Sequence, residues 1–139
     1  MTGPLDDAEE LLFRQVHPSF VRDGRPSSQA FRPTKKDEKK LSVARGALTD
    51  AKAAYELHVG AKKAGSVGTW GVTVGECLLH GLSTFEDPVL AADDQVEDVA
   101  HAVVDFSPLT SNGQIEAKAS QLTRLATARG KLYPTDGES

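Results

Sequence analysis

The chain has few residues of several types, and each shortage excludes a class of protein. A single cysteine, Cys77, allows no internal disulfide. Aromatic residues make up only 6% of the 139 residues, so leucine, valine and alanine must build most of the core. No apolar run approaches the ~20 residues of a membrane-spanning helix, and residues 1–10 are acidic where a signal peptide would be basic and then apolar. We therefore expect a soluble, cytoplasmic protein with no membrane partner.

Charge is unevenly distributed along the chain. Residues 1–13 carry four acidic and no basic side chains, residues 14–40 carry eight basic against three acidic, and residues 76–105 carry eight acidic and no lysine or arginine. The net charge of −4 argues against a nucleic-acid partner. A surface with separate acidic and basic regions can orient a charged protein partner. Runs of like charge are also typical of ordinary solvated surface. We expect a protein partner and leave the oligomeric state open.

The length suits one domain, and the 39% of hydrophobic residues is enough to form a core. The ends, residues 1–10 and 134–139, are rich in glycine, proline and acidic residues, which predicts disorder there. The segment between them, residues 11–133, is predicted to form a single globular domain. Within it, residues 23–40 contain two prolines, a glycine and two adjacent serines, which predicts a long irregular loop or a short hairpin.

Hydrophobic periodicity predicts four strands and two main helices. Alternating or β-branched runs predict strands near residues 11–16, 41–44, 70–74 and 99–106. Apolar residues at helical spacing predict a helix over 49–64, capped by Thr49 or Asp50, and a second helix over 111–129. Ser111 and Gln114 form a capping box for the second helix, and Gly130 ends it. The pattern predicts an α+β fold, with a small mixed sheet of about four strands packed against two helices.

The first candidate site surrounds the only thiol. If residues after 75 turn helical, Cys77 and Glu76 both lie one turn from His80. Such a cysteine, paired with a histidine base, suits nucleophilic catalysis. His17 and His101 lie at or within predicted strands and could converge on it, which makes Cys77, Glu76, His17 and His101 the candidate catalytic set. Zinc is the candidate metal, with His17, Cys77 and His101 as ligands, but the chain has no CxxC, HxH or HExxH spacing. Inert packing of a lone cysteine is the alternative.

Glu76 allows two interpretations. If the alternation of Trp70, Val72 and Val74 continues, Glu76 faces the apolar side of the sheet. A carboxylate there must be paired, or its pKa rises, and such groups concentrate in active sites. If the strand ends at Gly75, Glu76 faces water.

The second candidate site includes Arg14, the basic loop and Ser42. Residues 12–18, 27–33 and 40–43, followed by a helix that ends in Tyr55-Glu56, resemble the front half of RES-type ADP-ribosyltransferase-like proteins. Those proteins have an arginine on an early strand, a loop, a short strand and a helix that closes with a glutamate. The resemblance covers less than half of the chain. It implies a cleft for NAD, with Arg14 toward the phosphates, Ser42 at the cofactor, and Glu56 or Glu76 near the ribose.

The set Cys77, Glu76, His17 and His101 also resembles that of small bacterial proteins encoded beside E1- and E2-like ubiquitin-type enzymes, which are described by Cys, Glu, His and His. Three hypotheses follow. The first is a hydrolase or group-transfer centre built from cysteine, histidine and glutamate, with or without a metal. The second is an NAD-binding, ADP-ribosyltransferase-like domain. The third is a non-catalytic protein-binding module with a charge-divided surface.

Overall fold

The computed structural model of the chain describes residues 3–33 and 39–135. Its strands are β1 (Leu11–Gln15), β2 (Val21–Arg22), β3 (Arg25–Pro26), β4 (Lys40–Arg45), β5 (Thr69–Thr73), β6 (Ser83–Glu86) and β7 (His101–Asp105), and its α-helices are α1 (Ala51–Glu56), α2 (Val74–Leu79) and α3 (Asn112–Arg129). The α+β class is confirmed. In the part of the chain that is described, none of the helices combines the length and apolarity needed to cross a membrane.

The main sheet has five strands in the order β5-β1-β4-β7-β6, and every neighbouring pair is antiparallel. Four of these strands coincide with the predicted ones. The fifth, β6, pairs with β7 at one edge and is not among the predicted strands. Strands β2 and β3 form a separate two-stranded hairpin; β3 lies in the segment 23–40 that was predicted as a loop or hairpin, and β2 directly precedes that segment. Residues 34–38 of that segment lie outside the described ranges.

One face of the sheet is closed by α3. Strand alternation puts Leu12, Val43, Val72 and Val104 on this inner face. They share one core cluster with the buried side of α3, which includes Leu122. Apolar burial of this kind is the main favourable term in folding, so the contact between the inner face and α3 holds the domain together.

The two main helices begin where the sequence predicts. The hydroxyl of Ser111 accepts the amide of Gln114, and Gln114 returns the bond, so that the predicted capping box opens α3. The C-cap of α3 is Gly130, at φ +94°, where glycine is favoured. Asp50 caps α1 by accepting the amide of Ala53. The predicted helix 49–64 divides into α1 and a π-helical turn, Leu57–Ala61.

The opposite, outer face of the sheet carries Phe13, Ser42, Ala44 and His101 by the same alternation. Helix α1 packs here beside β1 and β5, and the hydroxyl of Thr69 donates to the carbonyl of Ala51 at 3.1 Å. Because α1 and the turn after it are short, this helix leaves space over β4 and β7.

The N-terminal segment is attached to the sheet over its described part, residues 3–10. Leu5 is buried in the core. Glu10 is 7% exposed and receives two hydrogen bonds from Arg45, at 2.8 and 3.1 Å. A paired carboxylate of this kind can remain buried. The predicted disorder of residues 136–139 concerns positions outside the described ranges.

Candidate functional site

A pocket of about 240 Å³ lies on the outer face, between the sheet, α1 and the loop that joins β6 to β7. Its floor is partly apolar, with Phe13 and Ala44 from the sheet and Leu57 from the π-helical turn. Its polar lining residues are Arg14, Gln15, Ser42, Thr49, His58, Lys62, Asp98 and His101. A partly apolar cavity with a few converging polar groups is typical of a small-molecule site.

His101 is oriented by Asp87. The Nδ1 atom of His101 lies 2.9 Å from the backbone carbonyl oxygen of Asp87 and 3.2 Å from its carboxylate. Because both of these oxygens accept, Nδ1 carries the proton and donates. In the neutral ring, the lone pair is therefore on Nε2. A carboxylate that fixes the tautomer and orientation of an imidazole is the arrangement found in hydrolytic triads.

Lys62 and Asp98 form an ion pair on the pocket wall. The ammonium nitrogen lies 2.5 Å from Oδ2 of Asp98, whose side chain is only 7% exposed. Asp98 also lies three residues before His101, at the end of the loop that supplies Asp87. The pair places a charged donor and a charged acceptor in the same pocket as His58 and His101.

His58 is the second pocket histidine. Its Nε2 atom lies 3.3 Å from the carbonyl oxygen of Gly65, so Nε2 donates and Nδ1 keeps the lone pair. Burial lowers the pKa of His58, and the positive charge of Lys62 lowers it further, against the opposing effect of the Gly65 hydrogen bond. His58 is thus held in its neutral form at pH 7, the form that accepts a proton.

A second, shallower pocket of about 390 Å³ adjoins the first and shares Arg14, Gln15 and His58 with it. His17 lines this second pocket. Its ring lies against Gly65, where an added Cβ would come within 3.2 Å of Nε2. Together the two pockets form one groove, defined by their lining residues, along which three of the four histidines of the chain are placed.

Arg14 and Ser42, the predicted cofactor residues, both line the main pocket. The guanidinium of Arg14 donates to the carbonyls of Ala30 and Ser42, at 2.8 and 2.9 Å, so these bonds bind the loop and β4 to β1. Glu56, the predicted ribose contact, is exposed on α1 and does not line the pocket. Among the described residues that line the main pocket, the acidic one is Asp98.

Cys77 lies elsewhere, in the core. It is 0% exposed and belongs to the cluster that α3 covers. Burial, with a smaller effect of the Glu76 charge, raises the pKa of the Cys77 thiol to about 12. A thiol with so little thiolate is a poor nucleophile and a poor metal ligand. The structure therefore does not bring Cys77 together with His17 and His101, which lie along the groove.

Glu76 stabilises the start of α2. It is the third residue of α2 and forms a capping box with Thr73, whose amide it accepts at 2.8 Å. Arg129 at the end of α3 binds the same carboxylate through two nitrogens, at 2.9 and 3.1 Å. Burial raises the pKa of Glu76, but the bonds from Arg129 and Thr73 outweigh this effect, and the pKa lies below its usual value.

The predicted zinc site has no geometric counterpart in the structure. Over residues 3–33 and 39–135, no group of three or more histidine, cysteine, aspartate or glutamate side chains is arranged to hold a metal ion. The donors predicted for zinc are divided between the buried core and the groove. The chemistry of the groove instead suits proton transfer, with three imidazole side chains and one ion pair.

Sequence reasoning missed several pocket residues. His58 and Lys62 are four residues apart, and this helical spacing was a usable signal that both side chains share one face. Asp98 and His101 are three residues apart where β7 begins, and this spacing is a weaker signal of a shared site than the helical spacing of His58 and Lys62. Asp87 had none, because it meets His101 through the register of β6 on β7, which places Asp87 opposite the first residue of β7.

Comparisons with known proteins add no relative. No protein-family model matches the chain, and neither a curated protein nor a solved structure matches it. The function must therefore be argued from the site itself.

Proposed function

We propose that this protein is a small acid–base enzyme of the hydrolase or group-transfer class, with its centre in the main pocket of the outer face. The observation that carries the proposal is the Asp87–His101 pair. Asp87 occupies Nδ1 of the imidazole, and the same ring lines a pocket large enough for a small substrate. This assigns the role of general base to His101 rather than to the buried Cys77.

The proposed reaction needs no cofactor, because His101 both takes up and returns the proton. Nε2 of His101 takes a proton from a bound water, whose oxygen forms a bond to the electrophilic carbon or phosphorus of the substrate. The bond to the leaving group breaks, and His101 returns the proton to that group. Asp87 stabilises the imidazolium between the two proton transfers. In group transfer, an acceptor hydroxyl or amine takes the place of water.

Other pocket residues suit substrate binding. The Ser42 hydroxyl makes no hydrogen bond to any residue in the described ranges, and Ser42 lies diagonally across β4 and β7 from His101. Ser42 can therefore bind a polar substrate group next to the base. Lys62 provides a positive charge for an anionic oxygen that develops during the reaction.

An NAD-dependent transferase is the second candidate, since Arg14 and Ser42 share the pocket. It is the weaker one, because the carbonyls of Ala30 and Ser42 already occupy two guanidinium nitrogens of Arg14. No glutamate is among the residues described as lining this pocket. An increase in melting temperature with NAD that is lost in the Ser42→Trp variant would favour the NAD candidate.

The test is hydrolysis of a panel of p-nitrophenyl esters and p-nitrophenyl phosphates by purified protein. We expect His101→Gln to reduce kcat/KM by about 10²- to 10⁴-fold, the usual contribution of a general base. His80→Gln is the matched control, because His80 lies at the end of α2, outside the groove. Asp87→Asn should give a smaller loss and a shifted pH–rate profile, since it removes the carboxylate but keeps the backbone carbonyl.

Equal rates for the wild-type protein, His101→Gln and His80→Gln across the panel would contradict the proposal. Circular dichroism and thermal melting of each variant distinguish loss of the base from loss of the fold. A two-bond ¹H–¹⁵N spectrum provides a second check that needs no substrate. It should show His101 with its proton on Nδ1, and a ring protonated only on Nε2 would remove the basis of the proposal.

A further inference from the structure

The arginines of this chain fall into two groups. Four of the seven are bound: Arg14 by backbone carbonyls, and Arg32, Arg45 and Arg129 by glutamates. The other three, Arg22, Arg25 and Arg124, make no ion pair or side-chain hydrogen bond with any residue in 3–33 or 39–135. These three line the same open cleft. Free guanidinium groups that share one surface depression indicate an anion site.

The cleft has a volume of about 510 Å³ and lies between the tip of the β2–β3 hairpin and the second half of α3. The hairpin turns through Asp23 and Gly24, at φ +54° and +76°, which is the geometry of a tight two-residue turn. This turn sets Arg22 directly opposite Arg25 on the neighbouring strand. Like charges in such a position repel each other and destabilise the hairpin. An anionic ligand bound beside the two guanidinium groups would reduce this repulsion.

Helix α3 completes the site. Arg124 is exposed on α3, and Thr127 lies three residues further along on the same face. The hydroxyl of Thr123 is already used, because it donates to the carbonyl of Ala119 at 2.8 Å. The hydroxyl of Thr127 has no such bond within the part of the chain described. Asp23 contributes one negative charge at the rim, which leaves an excess of positive charge.

We propose that this cleft binds the phosphate group of a small phosphorylated ligand. Guanidinium groups match phosphate oxygens in a two-pronged geometry that ammonium groups lack, and the basic residues among the described lining of the cleft are all arginines. None of the described residues that line this cleft also lines the outer-face pocket. The inference is therefore independent of the proposed hydrolase or transferase activity.

The test is a titration of the full chain with inorganic phosphate and with phenyl phosphate, followed by ³¹P line width and by melting temperature at constant ionic strength. We expect saturable binding of at least one probe. The double variant Arg25→Gln/Arg124→Gln should weaken it by about tenfold to a hundredfold, as expected when charge-assisted hydrogen bonds are lost. Lys118→Gln is the matched control for the single variant Arg124→Gln, because each removes one positive charge from α3 and only Arg124 lines the cleft. His101→Gln should bind like the wild-type protein.

The outcomes separate the sources of phosphate. Binding of both probes would indicate a site for the phosphate group itself, and binding of phenyl phosphate alone would indicate a ligand with an organic part; either supports the proposal. Equal weakening by Lys118→Gln would show a general charge effect and overturn it. Binding of a short DNA duplex, with no response to either small probe, would also overturn it. The melting temperatures of the unliganded variants confirm that each is folded.

Discussion

Reactive side chains lie on both sides of the sheet, and the two sides differ in what surrounds those side chains. On the inner face, Cys77 is sealed among aliphatic residues, and Glu76 is bound by Arg129 and Thr73. On the outer face, His58 and His101 line an open pocket beside the ion pair of Lys62 and Asp98. The difference shows that access and hydrogen-bond partners decide which of these groups a small molecule could reach.

The contrast follows from how each face is covered. Helix α3 has 18 residues and lies over the inner face with an apolar side that includes Ile115, Ala119 and Leu122. Helix α1 has only six residues and continues into a π-helical turn. A short helix cannot cover five strands, because each residue of an α-helix adds only ~1.5 Å of length. The uncovered part of the outer face becomes the pocket.

The largest expected effect concerns Cys77. Because its pKa is raised from 9.0 to about 12, the thiolate fraction at neutral pH falls about a thousandfold relative to the unfolded chain. We expect a thiol-reactive dye to label the native protein at least that much more slowly than the protein in denaturant. Rapid labelling of native protein, at a rate independent of denaturant, would place the thiol at the surface and break the comparison.

The next effect concerns the contact that closes the inner face. Leu122→Ala should lower the free energy of unfolding by about 2–5 kcal/mol, because it leaves a cavity beneath α3. Leu79→Ala is the control: Leu79 is 82% exposed, and its loss should change stability by no more than about 0.5 kcal/mol. Urea denaturation measures both. Similar losses for the two variants would mean that α3 does not dominate the core.

A smaller effect is expected at Glu76. Glu76→Gln should destabilise by about 1–2 kcal/mol, since it weakens both the capping box and the bond to Arg129. Glu116→Gln, in the more exposed pair with Arg32, should have less effect. Urea denaturation of both variants at neutral pH tests this difference.

The Glu76 contribution also depends on pH. The folded pKa of Glu76 lies below its ordinary value of 4.5, so its contribution is complete above that pH and is lost as the pH falls through the folded pKa. The wild-type protein should therefore lose more stability than Glu76→Gln in this acidic range. If the free energies of unfolding of the wild-type protein and Glu76→Gln depended on pH in the same way, the bound carboxylate would not stabilise the fold.

The smallest effect is expected at His58. Its folded pKa lies below 6.5, so the unfolded chain binds this proton more readily. Stability from His58 is present above about pH 6.5 and declines as the pH falls through the folded value. We expect His58→Gln to flatten this part of the stability profile and His80→Gln to leave it unchanged. Histidine NMR titration measures the pKa directly, and a His58 value at or above 6.5 would contradict the prediction.

Local sequence signals predicted much of the fold. The capping box at Ser111 and Gln114, the apolar side of α3 and the glycine after it all act within a few residues, and the structure confirms them. The second capping box, at Thr73 and Glu76, has the same signature and could have been found. Strand β6 was missed because its four residues carry little periodicity, and its pairing with β7 stabilises it.

The composition of the site was harder to predict. Arg14, Ser42 and His101 were expected in two different sites, and the structure places all three along one pocket. Asp87 and His101 are 14 residues apart, and their contact depends on the pairing of β6 with β7, whose register places Asp87 opposite His101. Cys77 was expected near the histidines, and it lies under α3 instead because the turn of α2 directs it into the core.

The amino-acid sequence by itself determined the class of fold, the caps of the two main helices and the alternation that gives the sheet two unlike faces, because these depend on interactions between near neighbours along the chain. Only the tertiary structure decided that three arginines share a cleft, that the thiol is sealed and that Asp87 meets His101. Those contacts join residues distant in sequence, and their burial and partners arise only when the sheet and helices pack together.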